Sequence, residues 1–251
     1  MVITLLTDIG WEYAAEMKGK ILSINPDAKI VDISHDVEPQ NVRQGAFLLY
    51  SVAPHFKDAI HVGVVDPGVG TERKAIIIKC EGNNYFIGPD NGLFMPAARR
   101  LGIKGIYEIK MKGNESPVFH GRDVFAPTAA KISKGRRINS LARRMKEEPV
   151  DLDFERPVIM ENAIKGKILF IDRFGNIITN VEGKDVKGKE FAVKIGMVER
   201  DVKLYPAYGY GERNEIMAVI SSTGFLEISR REGNAAKYFS AKQDMPIEIF
   251  F

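Results

Sequence analysis

The chain has 251 residues, of which 45% are hydrophobic and 27% are charged, a composition that excludes disorder for most of its length. Its 36 basic and 33 acidic residues leave a net charge of +3, which is too small to indicate a nucleic-acid partner. The single cysteine, Cys80, excludes an internal disulfide and a cysteine metal cluster.

The N-terminal sequence MVITLLTDIG has no basic segment ahead of its apolar run and reaches Asp8 quickly, unlike a secretion signal. No apolar stretch approaches the roughly 20 residues of a membrane span. We therefore expect a soluble, cytoplasmic protein with no membrane partner.

Strands and helices alternate in the first part of the sequence. Apolar runs rich in β-branched residues predict the strands, and apolar residues at spacings of three and four predict the helices. The predicted strands cover 2–7, 29–34, 59–65 and 74–80, and the predicted helices cover 12–25 and 41–53. Asn41 is the expected N-cap of the second helix, and Pro54 ends it. This alternation predicts an N-terminal α/β domain with a mainly parallel sheet over 1–150.

Short strands separated by turn residues dominate the rest of the chain. A charged helix is predicted around 140–148, and the polar stretch with Pro149 and Pro157 after it is the expected linker. Seven strands are then predicted at 167–172, 176–181, 190–196, 201–205, 215–221, 224–229 and 245–251. One short helix is predicted at 234–241. Residues 158–251 are therefore expected to form a smaller C-terminal β-barrel domain.

Two polar segments follow strands of the α/β domain, where ligands bind in such sheets. Asp8 follows the first strand and either binds the two hydroxyls of a ribose or caps the next helix. The segment VVDPGVGTER at 64–73 contains Asp66 and Arg73, and its glycines let the backbone approach a ligand. It lacks the spacing of phosphate-binding loops, and a plain turn is the alternative interpretation.

A third segment, FHGRDVFAP at 119–127, contains His120 and places Pro127 at the start of a predicted helix. Histidine is the first candidate for a general base, because its ordinary pKa lies near neutrality. The other histidines are interpreted as structural. The run DISHD at 32–36 matches no metal-ligand pattern, so we predict no metal site and no cofactor.

The C-terminal half contains two further candidate segments. DRFGNIITN at 172–180 places Phe174 beside Asn176, a combination that suits purine recognition but also fits an ordinary hairpin turn. SSTGFLEIS at 221–229 is equally open to ligand binding or to a structural role. The basic run at 134–148 is interpreted as a solvated helix face, because Glu147 and Glu148 weaken a nucleic-acid interpretation.

These segments together resemble one family, the S-adenosyl-L-methionine hydroxide adenosyltransferases. The family is also called the adenosine-forming S-adenosylmethionine hydrolases and is related to fluorinases and chlorinases. The resemblance extends over the whole chain and rests on seven segments in the family's order. They are TLLTDIG, EMKGKILSINPDAKIVDISHDVEPQNV, HVGVVDPGVGTERKAI, IGPDNGLF, FHGRDVFAP, DRFGNIITN and SSTGFLEIS.

The resemblance implies hydrolysis of S-adenosyl-L-methionine to adenosine and L-methionine by water that attacks the ribose C5′. It implies a catalytic set of Asp66, Arg73 and His120, in which we expect Asp66 to orient His120, His120 to take the proton and Arg73 to stabilise the hydroxide. It also implies a homotrimer whose active sites lie between the N-terminal domain of one subunit and the C-terminal domain of its neighbour.

For the substrate, the resemblance places Asp8 on the ribose and Asn176 with Phe174 near the adenine. It also implies that Asp172, Ser222 and Glu227 contact the methionine part or its neighbourhood, and that Tyr208 is a further substrate contact.

One segment departs from the family. Between Gly10 and Met17 the family has a second aspartate and two more residues. Either Glu12, beside Trp11, takes that carboxylate's role here, or the role is absent.

Two other functions are weighed against hydrolysis. A halogenase is disfavoured, because halogenating relatives lack the catalytic set and carry an extra loop that has no counterpart here. The second alternative is a sensor that binds adenosine or S-adenosylmethionine without turnover. The sequence does not indicate which sulfonium epimer is preferred.

Overall fold

The computed structural model describes all residues, 1–251, and the chain divides into two compact units, Met1–Asp153 and Phe154–Phe251. The first unit is an α/β structure and the second is a barrel-like β structure, so the predicted fold class is confirmed. No helix of the chain is both long and apolar enough to cross a bilayer.

The first unit is built on a seven-stranded sheet. Its strands are β1 (Val2–Thr7), β2 (Lys29–Ser34), β3 (Ala59–Val64), β4 (Ala75–Cys80), β5 (Tyr85–Pro89), β6 (Ile103–Ile109) and β7 (Ala142–Arg144). They are arranged in the order β2-β1-β3-β5-β4-β6-β7. The first four in this order pair in parallel, and the pairs β5-β4, β4-β6 and β6-β7 are antiparallel. Strands β1, β2, β3, β5 and β6 therefore run in one direction, which makes the sheet mainly parallel.

Helices cover both faces of this sheet. They are α1 (Gly10–Ile24), α2 (Val42–Val52), α3 (Met95–Arg100) and α4 (Ala126–Ser133), and a π-helical turn at Gly121–Phe125 leads into α4. On one face, Met17 of α1 joins the α4 alanines in a core with Leu5. On the other face, α2 packs closely through Gly45, which faces Leu6. Alternate residues of β1 thus support opposite layers. The predicted cap of α2 is confirmed, since the Asn41 side chain accepts from the Gln44 amide at 2.9 Å.

The helix predicted around 140–148 is wrong. Residues Ala142–Arg144 form β7, an edge strand antiparallel to β6. Ala142 is buried, and the Arg143 guanidinium reaches across to the Glu108 carboxylate at 3.0 Å. Pairing with a distant strand overrides the local helical preference of this segment. The structure also adds β5, β6 and α3, which the sequence analysis did not predict.

The second unit is an antiparallel sheet that curls on itself. Its strands are β8 (Val158–Ile159), β9 (Ala163–Ile171), β10 (Ile177–Glu182), β11 (Glu190–Ile195), β12 (Val198–Lys203), β13 (Ile216–Ile220), β14 (Phe225–Arg230) and β15 (Pro246–Phe250). The order is β12-β11-β15-β9-β10-β14-β13, and the short β8 pairs with β9. A bridge between Leu204 and Ala218 brings the two ends of this order together. All seven predicted strands are confirmed, and the predicted helix is the shorter α5 (Ala235–Phe239).

Buried His61 makes the stability of the first unit pH-dependent. It is fully buried in β3, where Nδ1 lies 2.8 Å from the Thr4 hydroxyl, Nε2 has no partner and the ring packs on Phe86. Burial lowers the pKa of His61 to about 4. Its pKa in the unfolded chain is about 6.5, so the unfolded state binds more protons between these two values. The free energy of unfolding therefore falls as the pH drops from about 6.5 to 4.

We expect His61→Phe to remove this contribution. Between pH 7 and pH 4.5, the wild type should lose about 2–3 kcal/mol more unfolding free energy than the variant. Urea unfolding of both proteins at the two pH values measures this difference, and any pH-independent cost of the substitution cancels in the comparison. The exposed His55 offers the control, since His55→Ala should behave as the wild type does. Equal losses in wild type and His61→Phe would contradict the assignment.

Candidate active site

Three chain segments meet at the carboxyl edge of the parallel strands in the first unit. Strands β1 and β3 pair with Thr7 opposite Val64, and the Asp8 amide donates to the Val64 carbonyl at 3.3 Å. Asp8 and Asp66 therefore leave the sheet side by side. Gly121, at the start of the π-helical turn, lies close to Val64 and Met17, where a Cβ would be 3.4 Å from the valine and 3.2 Å from the methionine sulfur. His120 is thereby brought to the same edge.

Asp66, Arg73 and His120 form a row with the arginine at its centre. Arg73 Nε donates to Asp66 Oδ1 at 3.1 Å, and Nη2 donates both to Asp66 Oδ2 and to His120 Nδ1, the latter at 3.1 Å. The side chains of Arg73 and Asp66 are 8% and 4% exposed. The structure thus brings together the three residues that the sequence analysis named as the catalytic set. The contacts differ from those expected, because Asp66 does not contact His120 directly. Arg73 lies between them and bonds to both.

A tight turn between Asp66 and Arg73 makes this row possible. The Val69 amide bonds to the Asp66 carbonyl at 3.3 Å and the Thr71 amide to the Gly68 carbonyl at 3.2 Å. Gly70 has a φ of +77°, and a side chain there would overlap the carbonyl oxygen of Pro117. Glycine at this position therefore lets the turn lie against the segment that precedes His120.

Burial and the charge of Arg73 shift the pKa values of Asp66 and His120. Burial raises the pKa of Asp66, and the bidentate contact with Arg73 opposes this rise. Burial and then the Arg73 cation lower the pKa of His120, so its imidazole is neutral at pH 7. Because an arginine can only donate, His120 Nδ1 is the acceptor and the ring proton lies on Nε2.

Two residues that the sequence analysis did not assign support the row. The Asn91 side chain donates to the Val65 carbonyl at 2.8 Å and so holds the backbone next to Asp66. The Phe125 ring lies under the Arg73 guanidinium, with 5.4 Å between the guanidinium carbon and the ring centre. Their segments, IGPDNGLF and FHGRDVFAP, were part of the resemblance. No sequence motif indicated these two contacts, because each joins residues that are far apart in the sequence.

Asp8 does not cap α1. Ile9 occupies the N-cap position without a side-chain bond, and Asp8 Oδ2 accepts instead from the Gln40 amide at 2.7 Å. Asp8 Oδ1 makes no hydrogen bond and is available to a ligand. Next to it, the Glu12 carboxylate folds back towards Gly10, and Trp11 is 54% exposed, with its ring edge against His35.

The run DISHD supports the end of β1. His35 is buried and bonds to the Thr7 hydroxyl through Nδ1 at 2.9 Å and to Asp32 through Nε2 at 2.9 Å. Lys18 pairs with the second oxygen of Asp32 at 2.6 Å. This chain of contacts fixes the backbone just before Asp8.

A cavity of about 540 Å³ lies in the second unit and is lined by Phe174, Asn176 and Tyr208. The Asp172 carboxylate shapes the turn behind it by accepting from the amides of Phe174 and Asn176 and from the Asn176 side chain, each at 2.9 Å. Because the Asn176 nitrogen is used in this way, its side-chain oxygen is left to accept from a ligand.

The wall of this cavity is anchored by Glu227. The Glu227 side chain is buried and accepts from the Tyr208 hydroxyl at 2.7 Å and from Ser229 at 2.8 Å. Burial raises the pKa of Glu227. Phe174 is 71% exposed, so its ring face is open for stacking with a planar ligand. Arg230 and Arg231 also line the cavity, and no motif in the sequence indicated them.

Comparison with known proteins assigns the family. Residues 3–142 match the sequence model of the SAM hydroxide adenosyltransferase N-terminal domain, and residues 166–248 match that of its C-terminal domain. The chain belongs to the SAM hydroxide adenosyltransferase family. The suspected resemblance is thereby confirmed.

Named relatives agree with this assignment. A protein of Methanocaldococcus jannaschii called (R)-S-adenosyl-L-methionine hydrolase is 39% identical, over 100% of this chain and 96% of the relative. A Thermus thermophilus protein of the same name is 32% identical over 98% of each. A fluorinase of Nocardia brasiliensis is 24% identical, over 99% of this chain and 96% of the relative. The crystal structure of an uncharacterized conserved protein from Thermotoga maritima superposes with a TM-score of 0.94 at 35% identity and covers 100% of both chains.

One residue that the family resemblance named lies apart from the others. Ser222 is exposed in the turn between β13 and β14, whereas the cavity lies at the opposite end of this strand pair, beside Arg230. The structure therefore gathers Asp172, Phe174, Asn176, Tyr208 and Glu227 in one place and leaves Ser222 outside it. Its role as a substrate contact stays a prediction.

Proposed function

We propose that this chain hydrolyses S-adenosyl-L-methionine to adenosine and L-methionine by attack of water at the ribose C5′. The observation that carries the proposal is the Asp66–Arg73–His120 row, in which a neutral imidazole lies next to a fixed guanidinium. This pair supports the proposal because it offers both an acceptor and a donor to one water molecule. Relatives that carry the hydrolase name at 39% and 32% identity support it. The same relatives lead us to propose the (R) sulfonium epimer as the preferred substrate.

The chemistry of a sulfonium explains why so few groups are needed. Displacement at C5′ expels a neutral thioether, so the leaving group requires no general acid and the reaction requires no cofactor. What limits the rate is the weakness of water as a nucleophile. Holding the water in line with the C5′–S bond and lowering its proton affinity are therefore the tasks of the site.

We assign the proton to His120. Its only free lone pair, on Nδ1, accepts from Arg73 Nη2 across 3.1 Å in this structure. The attacking water inserts between the two groups, so that it donates to Nδ1 in place of the guanidinium and accepts from Nη2. As the proton moves to Nδ1, the arginine stabilises the hydroxide that forms. Asp66 holds the guanidinium in this orientation. In a dry site, the opposite charges of hydroxide and sulfonium attract more strongly than in water.

The proposed substrate contacts come from Asp8 on the first unit and from the cavity on the second unit. We propose that Asp8 binds the ribose hydroxyls through its free Oδ1 and that Phe174 stacks on the adenine. The Asn176 side-chain oxygen then accepts from the adenine amino group. We assign Asp172 and Glu227 to the surroundings of the methionine part and Tyr208 to a substrate contact in the same cavity. For Ser222, which lies outside the cavity, we keep the proposal of a contact with the methionine part.

We propose a homotrimer in which the Asp66–Arg73–His120 row and Asp8, on the first unit of one subunit, face the cavity on the second unit of its neighbour. The exposed aromatic surface of Phe174 and Tyr210, 71% and 70% exposed, supports burial of this region in an assembly. The domains are proposed at 1–150 and 158–251. A cytoplasmic location is also proposed, which the free and buried Cys80 fits.

The function is tested with the two separated sulfonium epimers. We expect equal release of adenosine and methionine, faster from the (R) epimer, when both products are followed by liquid chromatography. Parallel reactions contain chloride or fluoride at high concentration. Halide-dependent formation of a 5′-halo-adenosine would instead identify a halogenase, and tight binding in calorimetry without any product would identify a sensor.

A further inference from the structure

Two adjoining depressions at the amino-terminal edge of the first unit's sheet are lined by cations. One measures about 690 Å³ and is bordered by Lys131, Lys134 and Arg136. The other measures about 460 Å³ and is bordered by Lys79, Arg136 and Arg137. They share Arg136, and we call the pair the basic basin. Part of it comes from the run at 134–148 that the sequence analysis interpreted as a solvated helix face.

The side chains that line the basic basin carry five formal positive charges, and none of them is a carboxylate. The N-terminal amine of Met1 also borders the basin, but it lies 3.6 Å from the Asp58 carboxylate, which offsets its charge. Lys134 donates to the Ile24 carbonyl at 3.1 Å, whereas the side chains of the other four cations make no hydrogen bond or ion pair. Burial and the neighbouring cations Lys112, Arg136 and Lys20 lower the pKa of Lys131. The cations are therefore close enough to repel one another.

Neutralisation of helix ends does not account for this charge. Both α1, which ends at Ile24, and α4, which ends at Ser133, point their C-termini at the basic basin. Each C-terminus is equivalent to about half a negative charge, so together they offset about one of the five cations. An excess of about four positive charges remains.

The basic basin is separate from the catalytic row. Helix α4 begins beside His120 and ends at the basin, and its eight residues span roughly 12 Å. Lys79 lies near the end of β4, which runs against the parallel strands, and so reaches the same edge of the sheet. The basin therefore faces away from the edge that carries Asp66 and Arg73.

We propose that the basic basin binds a small anion with two or more phosphate groups, such as pyrophosphate or the phosphate chain of a nucleotide. Each depression offers its own cations to one phosphate group, and Arg136 lies between them to contact both. Arginine and lysine side chains are the usual phosphate donors. The concave shape and the volumes of about 690 and 460 Å³ favour a small molecule over an extended nucleic acid.

The proposal is tested by calorimetry with pyrophosphate at low salt. We expect the wild type to bind pyrophosphate more tightly than inorganic phosphate, with affinity that falls as salt is added. The double variant Lys131→Glu, Arg136→Glu should bind at least about tenfold more weakly, because two charge-assisted contacts are lost. Lys189→Glu is the matched control, since Lys189 is exposed in the second unit and should leave binding unchanged.

Several results would contradict binding of a polyphosphate at the basic basin. Absence of binding to pyrophosphate, or equal affinity in wild type and the double variant, overturns the proposal. Tight binding of an RNA oligonucleotide that pyrophosphate does not displace also overturns it, in favour of a nucleic-acid surface. Thermal unfolding and circular dichroism establish that the double variant is folded. Hydrolysis by the double variant should be unchanged, so the result does not depend on the proposed function.

Discussion

Replacing His120 by alanine is expected to lower kcat for S-adenosyl-L-methionine hydrolysis by about 10²–10⁴-fold, which is the usual contribution of a positioned base. The substitution removes the proton acceptor but leaves Asp66 and Arg73 paired, so the turn between them should keep its structure. Release of adenosine is followed with time for the wild type and the variant. His55→Ala removes an exposed histidine of the same unit and should retain full activity. Undiminished turnover by His120→Ala would contradict the mechanism.

The pH profile separates a role in proton transfer from a role in folding. Only neutral His120 can accept the proton, and burial with Arg73 lowers its pKa, so the acid limb of kcat/KM should lie below pH 6.5. Arg73→Gln removes the neighbouring cation and should move this limb to higher pH while lowering the rate. A limb that stays in place in this variant would show that His120 is not the titrating group.

Much of the architecture could be predicted because the relevant signals are local. The apolar runs that become β1 and β3 are bounded by turn residues, and Asn41 caps α2 as its neighbours indicate. The helix predicted at 140–148 was wrong because the conformation of this segment is not decided locally. Its conformation depends on pairing with β6 and on the contact between Arg143 and Glu108, which is 35 residues away in sequence.

The candidate site likewise combines a local feature that the sequence shows with a long-range contact that it does not. Asp66 and Arg73 are joined by one short turn, and their seven-residue spacing was visible in the sequence. His120 lies 47 residues from Arg73, so the sequence could not reveal that the arginine stands between the two other groups. That placement decides which imidazole nitrogen carries the proton. The basic basin was hidden for a similar reason, because Lys79 and Arg136 meet only when β4 and the end of α4 are brought together.

The largest gain of activity is expected from mixing two impaired variants and assaying them below the wild-type KM, because the proposed site takes its halves from neighbouring subunits. His120→Ala disables the first unit. The double variant Phe174→Ala, Asn176→Ala disables the second, where loss of base stacking should weaken substrate binding about ten- to a hundredfold. In trimers assembled at random from equal amounts, about a quarter of the sites combine two intact halves. We therefore expect co-expression to restore about a quarter of wild-type hydrolysis.

A matched pair of variants makes this experiment decisive. His120→Ala mixed with Asp66→Asn places both defects in the first unit, so no subunit carries an intact first unit and no activity should return. The two chains carry different affinity tags, and sequential purification ensures that mixed assemblies are assayed. Recovery in the first mixture but not in the second supports sites shared between subunits. Mixed assemblies that stay inactive in both cases would mean that each subunit forms its own site, and the proposed trimeric arrangement would be wrong.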